Sequence, residues 1–205
     1  ARVSQEKIDK TKKMFKDLTN EYSGIYAFYI YDIKGDYYYG LNYQEEMQAA
    51  SLIKLPVMYM AMKSNKNLDL VEAMGKRSDN SAFVKMLGIL GRENVNKTIS
   101  DLGMTHTSVS ENMTTPEEIG IFFKKLYKNE LLSRDQTKDL ETYMTDTNFE
   151  NWIRPGIPED ITFVHKYGRE AHVVNDAGIV MSDKPFVMVI MTDGVIEREA
   201  DDLIP

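Results

Sequence analysis

Three short segments follow one another along the chain: Ser51-Leu-Ile-Lys54, Ser78-Asp79-Asn80 and Lys166-Tyr167-Gly168. Together they hold the groups that a serine-nucleophile site needs. Residues i and i+3 share a helix face, so Ser51 and Lys54 would set a hydroxyl beside an amine. The second segment adds another hydroxyl and a side-chain amide, and the third a cation on a strand. Such a set can carry acyl transfer, in which a hydroxyl attacks a carbonyl, an amine takes its proton and backbone amides hold the oxyanion.

Each segment alone also has a plain structural reading. Ser51 can be a helix N-cap with Lys54 snorkelling to solvent. Ser78-Asp79-Asn80 is a good turn and cap sequence, and Lys166 can be an edge-strand charge. A second S-x-x-K, Ser4 to Lys7, reads as an exposed helix start. Context separates the two. Ser51 opens the stretch from Leu52 to Met62, which is apolar on nearly all sides and therefore a buried helix. A lysine one turn inside that helix is poorly solvated, and with Lys166 near it the expected pKa falls. Gly168 would let its strand come close to a ligand.

These groups need a scaffold. Ser4 can cap a helix to about Leu18, with Ile8, Met14, Phe15 and Leu18 on its apolar side. Gly24 to Tyr31 and the segment from Tyr37 read as two strands around the turn Lys34-Gly35-Asp36. From Ser51 the pattern is helical for about a hundred residues. Thr115-Pro116-Glu117-Glu118 and Ser133 to Gln136 are helix starts with caps. Trp152 to Pro158 ends the helical block. Ile161 to Tyr167, Ala171 to Met181 and Phe186 to Met191 read as three strands, and a short helix begins at Glu197. The class is α+β: an antiparallel five-stranded sheet flanked by N- and C-terminal helices, with an inserted all-helical lobe. The whole chain, 1–205, is one two-lobed unit, with an α/β lobe of 1–46 and 156–205 and a helical lobe of 47–155.

Composition narrows the functions. A net charge of −7, with no basic and aromatic interleaving, argues against a nucleic-acid groove. No apolar run is long enough to span a bilayer. Without cysteine there is no disulfide, thiol nucleophile or thiolate metal site. His165 and His172 can face each other across a hairpin, but without a third ligand no metal is expected, and no cofactor is implied. The chain starts at Ala1 and reads as a trimmed mature form.

The order S-x-x-K, S-D-N, K-x-G resembles that of class A β-lactamases and penicillin-binding proteins. Further segments are similar to class A positions in the same order: Asp101-Leu102-Gly103-Met104, Asn112-Met113-Thr114-Thr115-Pro116, Arg154-Pro155-Gly156-Ile157-Pro158 and Asn175-Asp176-Ala177-Gly178-Ile179. The resemblance implies that Ser51 is the acylated nucleophile, Lys54 the base or relay, and Ser78 the donor to the leaving amine. Asn80 would bind the substrate amide and Lys166 would attract its carboxylate, beside Tyr167 and Gly168. The backbone N–H groups of Ser51 and Arg169 would form the oxyanion hole. It also implies a β-lactam or peptidoglycan-type peptide as partner, a monomer, and an extracytoplasmic location, secreted or anchored by a segment outside this chain.

Two departures matter. Only eight residues separate Gly103 from Asn112, where class A enzymes carry an Ω-loop with a Glu-x-x-Leu-Asn motif. The carboxylate that positions their deacylating water has no clear counterpart, and Glu111 is merely the nearest in sequence. Tyr167 also stands where Thr or Ser is usual, and its ring is expected to crowd the carboxylate pocket. The resemblance therefore implies acylation with slow deacylation. The alternative is a non-hydrolytic penicillin-binding or sensor domain of the same fold.

Overall fold

The computed structural model of the protein describes residues 3–205. Helix α1 (Gln5–Thr19) is capped by Ser4, whose hydroxyl accepts from the Lys7 amide. Only a narrow stripe of it meets the sheet: Ile8 is buried and the Phe15 ring packs tilted against Phe28, with centroids 4.7 Å apart. Met14 and Leu18, expected on the apolar side, are exposed. Ile8 and Phe15 lie seven residues apart on one stripe, and Met14 and Leu18 belong to the next stripe over.

Strands β1 (Ile25–Asp32) and β2 (Tyr37–Leu41) form the first hairpin. Strands β5 (Phe163–Glu170), β6 (Val173–Val180) and β7 (Phe186–Asp193) return after the helices. All pairings are antiparallel, in the order β2-β1-β7-β6-β5, so β1 closes the sheet by pairing with the last strand. The sheet is that expected from the sequence, with β5 at its edge. β5 runs on to Glu170, and the turn to β6 uses a left-handed His172 (φ 62°). His165 pairs with Gly178, so the two histidines do not face each other.

Between the hairpins lie α2 (Lys54–Ser64), α3 (Leu68–Arg77), α4 (Asn80–Leu90), α5 (Arg92–Asp101), α6 (Pro116–Tyr127) and α7 (Arg134–Tyr143). Helix α2 is buried on nearly every side, enclosed by α3, α4, α5 and α7. Helix α6 lies on the sheet, against β1, β6 and β7. One apolar core runs from Leu55, Met58 and Met62 through Phe122 to Tyr29, Ile179 and Val189, joining helices to the inner sheet face. The outer face is covered by α1, by Ile153 and Ile157, and by α8 (Glu197–Leu203).

One element was not foreseen. The two-residue strands β3 (Met47–Gln48) and β4 (Met113–Thr114) pair with each other just before Ser51. Two residues carry no alternation to read. Their pairing ties the short 105–112 loop to the entrance of the nucleophile's helix, where Ala49 donates its amide to the Asn112 carbonyl at 2.8 Å.

Candidate active site

Ser51 lies in a short 3-10 turn, Ala50–Ile53, that runs directly into α2. Ala50 is left-handed (φ 48°) and almost fully buried. A non-glycine residue there costs roughly 1–2 kcal/mol, a strain that only a firmly packed surround maintains. Ser78 is left-handed too (φ 52°), closing α3, while Asp79 caps α4 by accepting from the Ala82 amide. That break between helices turns Ser78 and Asn80 towards Lys54.

The three sequence segments meet around Lys54. Its amine lies 2.9 Å from Ser51 Oγ, 3.2 Å from Ser78 Oγ, 2.6 Å from the Ser78 carbonyl and 2.6 Å from Asn80 Oδ1. The carbonyl and the amide oxygen only accept, so two N–H groups are committed to them. A neutral amine has two N–H groups and one lone pair, which leaves the lone pair for a serine hydroxyl. The environment favours that form. Burial lowers the Lys54 pKa to about 8, against the pull of Asp79 and Glu170 in the other direction.

Lys166 reaches the same cluster from β5, 2.9 Å from Ser78 Oγ and 2.8 Å from the Tyr167 carbonyl. It is 1% exposed, and burial followed by the repulsion of Lys54 holds its pKa well down, with Asp176 opposing. The like charge thus acts on Lys166, whereas desolvation is what lowers Lys54. Ser78 Oγ is shared between two amines and links them. Gly168 follows on β5, and a Cβ placed on it would stand 2.8 Å from the Ser51 amide nitrogen and 3.1 Å from that of Leu52. Only glycine lets the strand run this close to the nucleophile's backbone.

A cleft of about 370 Å³ opens on this cluster, lined by Ser51, Ser78, Asn80, Arg77, Tyr167 and Arg169, with Phe149 and Trp152. The ring of Tyr167 is stacked between Trp152 (3.9 Å) and Phe149 (5.0 Å). It is 5% exposed, so it forms part of the wall. Asp201 of α8 accepts from both Arg169 guanidinium nitrogens (2.6 and 3.0 Å) and from the Trp152 indole (3.0 Å). The Arg169 guanidinium holds the Asp201 carboxyl below its usual value. Arg77, by contrast, makes no side-chain hydrogen bond or ion pair among the described residues.

Behind the wall lies a buried charge cluster. His165 Nδ1 meets Asp176 Oδ1 at 2.7 Å and its Nε2 meets Glu150 Oε1 at 3.0 Å. Burial disfavours the imidazolium, but Asp176 and Glu150 outweigh it and raise the His165 pKa to about 9. Glu150 falls to about 2, because His165 and Thr147 outweigh its own desolvation. The Ile153 amide donates to Asp176, so the segment that carries Phe149 and Trp152 is pinned to the sheet at both ends.

Sequence reasoning missed Phe149, Trp152, Arg77 and Glu170. Trp152 sits in a segment read only as the end of the helical block, and Phe149 lies in the stretch before it, assigned to no element. Glu111 is exposed, and no side-chain hydrogen bond holds its carboxylate among the described residues. No group of three or more His, Cys, Asp or Glu able to hold a metal occurs among the described residues.

A family model described as the beta-lactamase enzyme family matches residues 10–67 and 63–205. The chain belongs to that family. None of the curated proteins compared with the chain matches it. Among solved structures, a β-lactamase from Xanthomonas campestris pv. campestris superposes with a TM-score of 0.88 at 15% identity, covering 96% of this chain and 94% of its own. PBP-A gives 0.88 at 19% identity over 99% and 93%, and an ancestral class A β-lactamase 0.87 at 16% over 94% and 95%. At these identities the likeness is one of fold, and this beta-lactamase family member shares its α+β architecture with all three.

Proposed function

We propose that this family member is a serine hydrolase that forms an acyl-Ser51 ester from a β-lactam or a D-alanyl-type amide and clears it slowly. The observation that carries this reading is the Lys54 amine. With its N–H groups committed to the Ser78 carbonyl and Asn80 Oδ1, its lone pair is available to take the Ser51 proton. Ser78 then passes a proton to the leaving nitrogen, replenished between Lys54 and Lys166. The amides of Ser51 and Arg169 hold the oxyanion, at a helix entrance whose dipole favours negative charge.

Asn80 is exposed beside the nucleophile and binds the substrate amide. Lys166 is enclosed behind Ser78, so it acts on a substrate carboxylate through its field and its proton. Arg77, exposed and unpaired at the cleft rim, is the cation that a carboxylate can touch. The Tyr167 wall with Trp152 and Phe149 receives the ring or side chain of the substrate. We place the protein outside the cytoplasm, as a monomer.

A protein of similar fold supports the choice of probe, since a PBP-A variant was solved as its acyl-enzyme complex with penicillin G. The second reading, a penicillin-binding or sensor domain that acylates without turnover, is favoured by the 105–112 loop. The buried carboxylate packed against it, Glu118 of α6, is occupied by the His106 amide, the His106 ring and the Thr107 hydroxyl. Incubation with penicillin G, followed by intact mass over time, tests both. One added penicillin mass on Ser51 that decays over many minutes is the result expected for the hydrolase. An adduct that never decays selects the sensor, and no adduct with any of a panel of β-lactams and D-alanyl peptides removes both.

A further inference from the structure

The slow clearance in that reading needs a group to hold water over the ester, and the loop that would bring one is cut short. The molecule nevertheless sets a carboxylate on the strand that runs against the nucleophile's backbone. Side chains alternate along a strand, so Lys166, Gly168 and Glu170 share one face of β5. Gly168 marks that face as the one against Ser51, by its closeness to the Ser51 amide. Glu170 is the next residue on it.

The Glu170 carboxylate is held by two side-chain amides. Gln48 Nε2 donates to one oxygen at 2.5 Å and Asn112 Nδ2 to the other at 3.0 Å. Gln48 ends β3, three residues before the nucleophile, and Asn112 ends the short loop directly before β4. Glu170 is close enough to Lys54 to act on its charge. Beside it, Asn112 Oδ1 is buried and accepts no hydrogen bond among the described residues. A buried amide oxygen without a donor is unfavourable by about 1–3 kcal/mol, and a water hydrogen is a suitable partner.

Other carboxylates are committed elsewhere. Glu118 is taken by His106 and Thr107, Asp79 caps α4, and Asp176 faces His165. Glu111 is exposed, with no side-chain partner among the described residues.

We propose that Glu170, with Asn112 beside it, holds and deprotonates the water that clears acyl-Ser51. The proposal rests on the acyl-Ser51 reading above. In the step, a water proton goes to the Glu170 carboxylate as the water oxygen bonds to the ester carbon. The tetrahedral intermediate then collapses, the carbon–Oγ bond breaks, and the proton held by Glu170 is handed on to Ser51 Oγ. The acyl group leaves as a carboxylic acid, and no other reactant is needed. Glu170 is exposed and both its oxygens are partly satisfied by amides, which is why this route is slow.

The test follows the mass of the penicillin G adduct in the wild-type protein, Glu170→Gln, Glu170→Asp and Asn112→Ala. Glu170→Gln should still accumulate a full equivalent of adduct, with its decay slowed about a hundredfold, the lower end of what a general base supplies. Glu170→Asp should recover part of the decay, and Asn112→Ala should lose about tenfold. Equal decay in the wild type and Glu170→Gln, with adduct formed in both, overturns the Glu170 assignment alone. Absence of adduct in the wild type overturns the acyl-Ser51 reading, and the proposal with it.

Discussion

The indole of Trp152 lies flat on the ring of Tyr167, with centroids 3.9 Å apart and planes 18° from parallel. Phe149 covers the other side of the same ring, and the Trp152 N–H is tied to Asp201 in the last helix. The stack closes one wall of the cleft that holds Ser51. A stacked aromatic pair contributes about 0.5–1.5 kcal/mol beyond the area it buries. Trp152→Ala should therefore lower unfolding stability by about 1–3 kcal/mol. It should also raise KM for acylation more than it lowers kcat, because the wall binds substrate without touching the reacting atoms. Denaturant melts with acylation kinetics check this, and an unaltered KM would remove Trp152 from the binding wall.

The nucleophile is the next claim to test. Ser51 should be the only residue labelled by serine-directed acylating or phosphonylating probes, read by peptide mapping. Ser78 also lies in the cleft, but its hydroxyl is held between two amines, 2.9 and 3.2 Å away. Label on Ser78, or on Ser4, would sink the assignment.

Lys54 predicts a pH profile. The acylation rate should rise with pH through about 8, as the amine loses its proton and becomes able to accept one. Lys54→Ala should remove that limb and at least a hundredfold of the rate. Circular dichroism would show whether the fold survives. A profile unchanged in the variant would identify another base.

His165 predicts how stability depends on pH. Its folded pKa, about 9, lies above the ordinary histidine value of 6.5. The imidazolium between Asp176 and Glu150 therefore contributes stability that is fully present below pH 6.5 and is lost as pH rises through 9. Unfolding free energies from denaturant melts should fall over that window, by of order 3 kcal/mol in total. His165→Asn should be less stable at pH 6 and should flatten the dependence. A midpoint unchanged between pH 6 and 10 would show that the ring is neutral.

Arg77 supplies a test of charge recognition. Arg77→Ala should weaken acylation by carboxylate-bearing substrates about tenfold, with less effect at high salt, where exposed charges are screened. It should leave neutral amide substrates almost unaffected. Equal losses for both classes would mean that Arg77 shapes the cleft without reading charge.

Much of this architecture could be read from residue patterns, and the reason is physical. The strands alternate or are rich in β-branched residues, the caps at Ser4, Thr115 and Ser133 announce their helices, and α2 is too apolar to lie anywhere but the core. Ser51, Lys54, Ser78, Asn80 and Lys166 could be anticipated as one cluster because their types and order match a known family pattern. Phe149, Trp152 and Glu170 could not. Their roles depend on which residue packs across from them: Tyr167 for the two aromatics, Gln48 and Asn112 for the carboxylate. Such pairings span up to 122 positions of chain, and no local period encodes them. Met14 and Leu18 were misplaced for a related reason, since helical spacing shows an apolar side but not how wide a stripe the sheet will cover.

Trp152 is the single tryptophan of the chain. Its emission therefore comes from one wall of the cleft, against a tyrosine ring and a carboxylate-bound N–H. Selective excitation of that indole makes intrinsic fluorescence a built-in optical reporter, with no dye to attach and no residue to replace. Any ligand that lies along the Tyr167 wall should change its intensity or wavelength. Stopped-flow traces can then follow arrival at Ser51 and departure from it in unmodified protein.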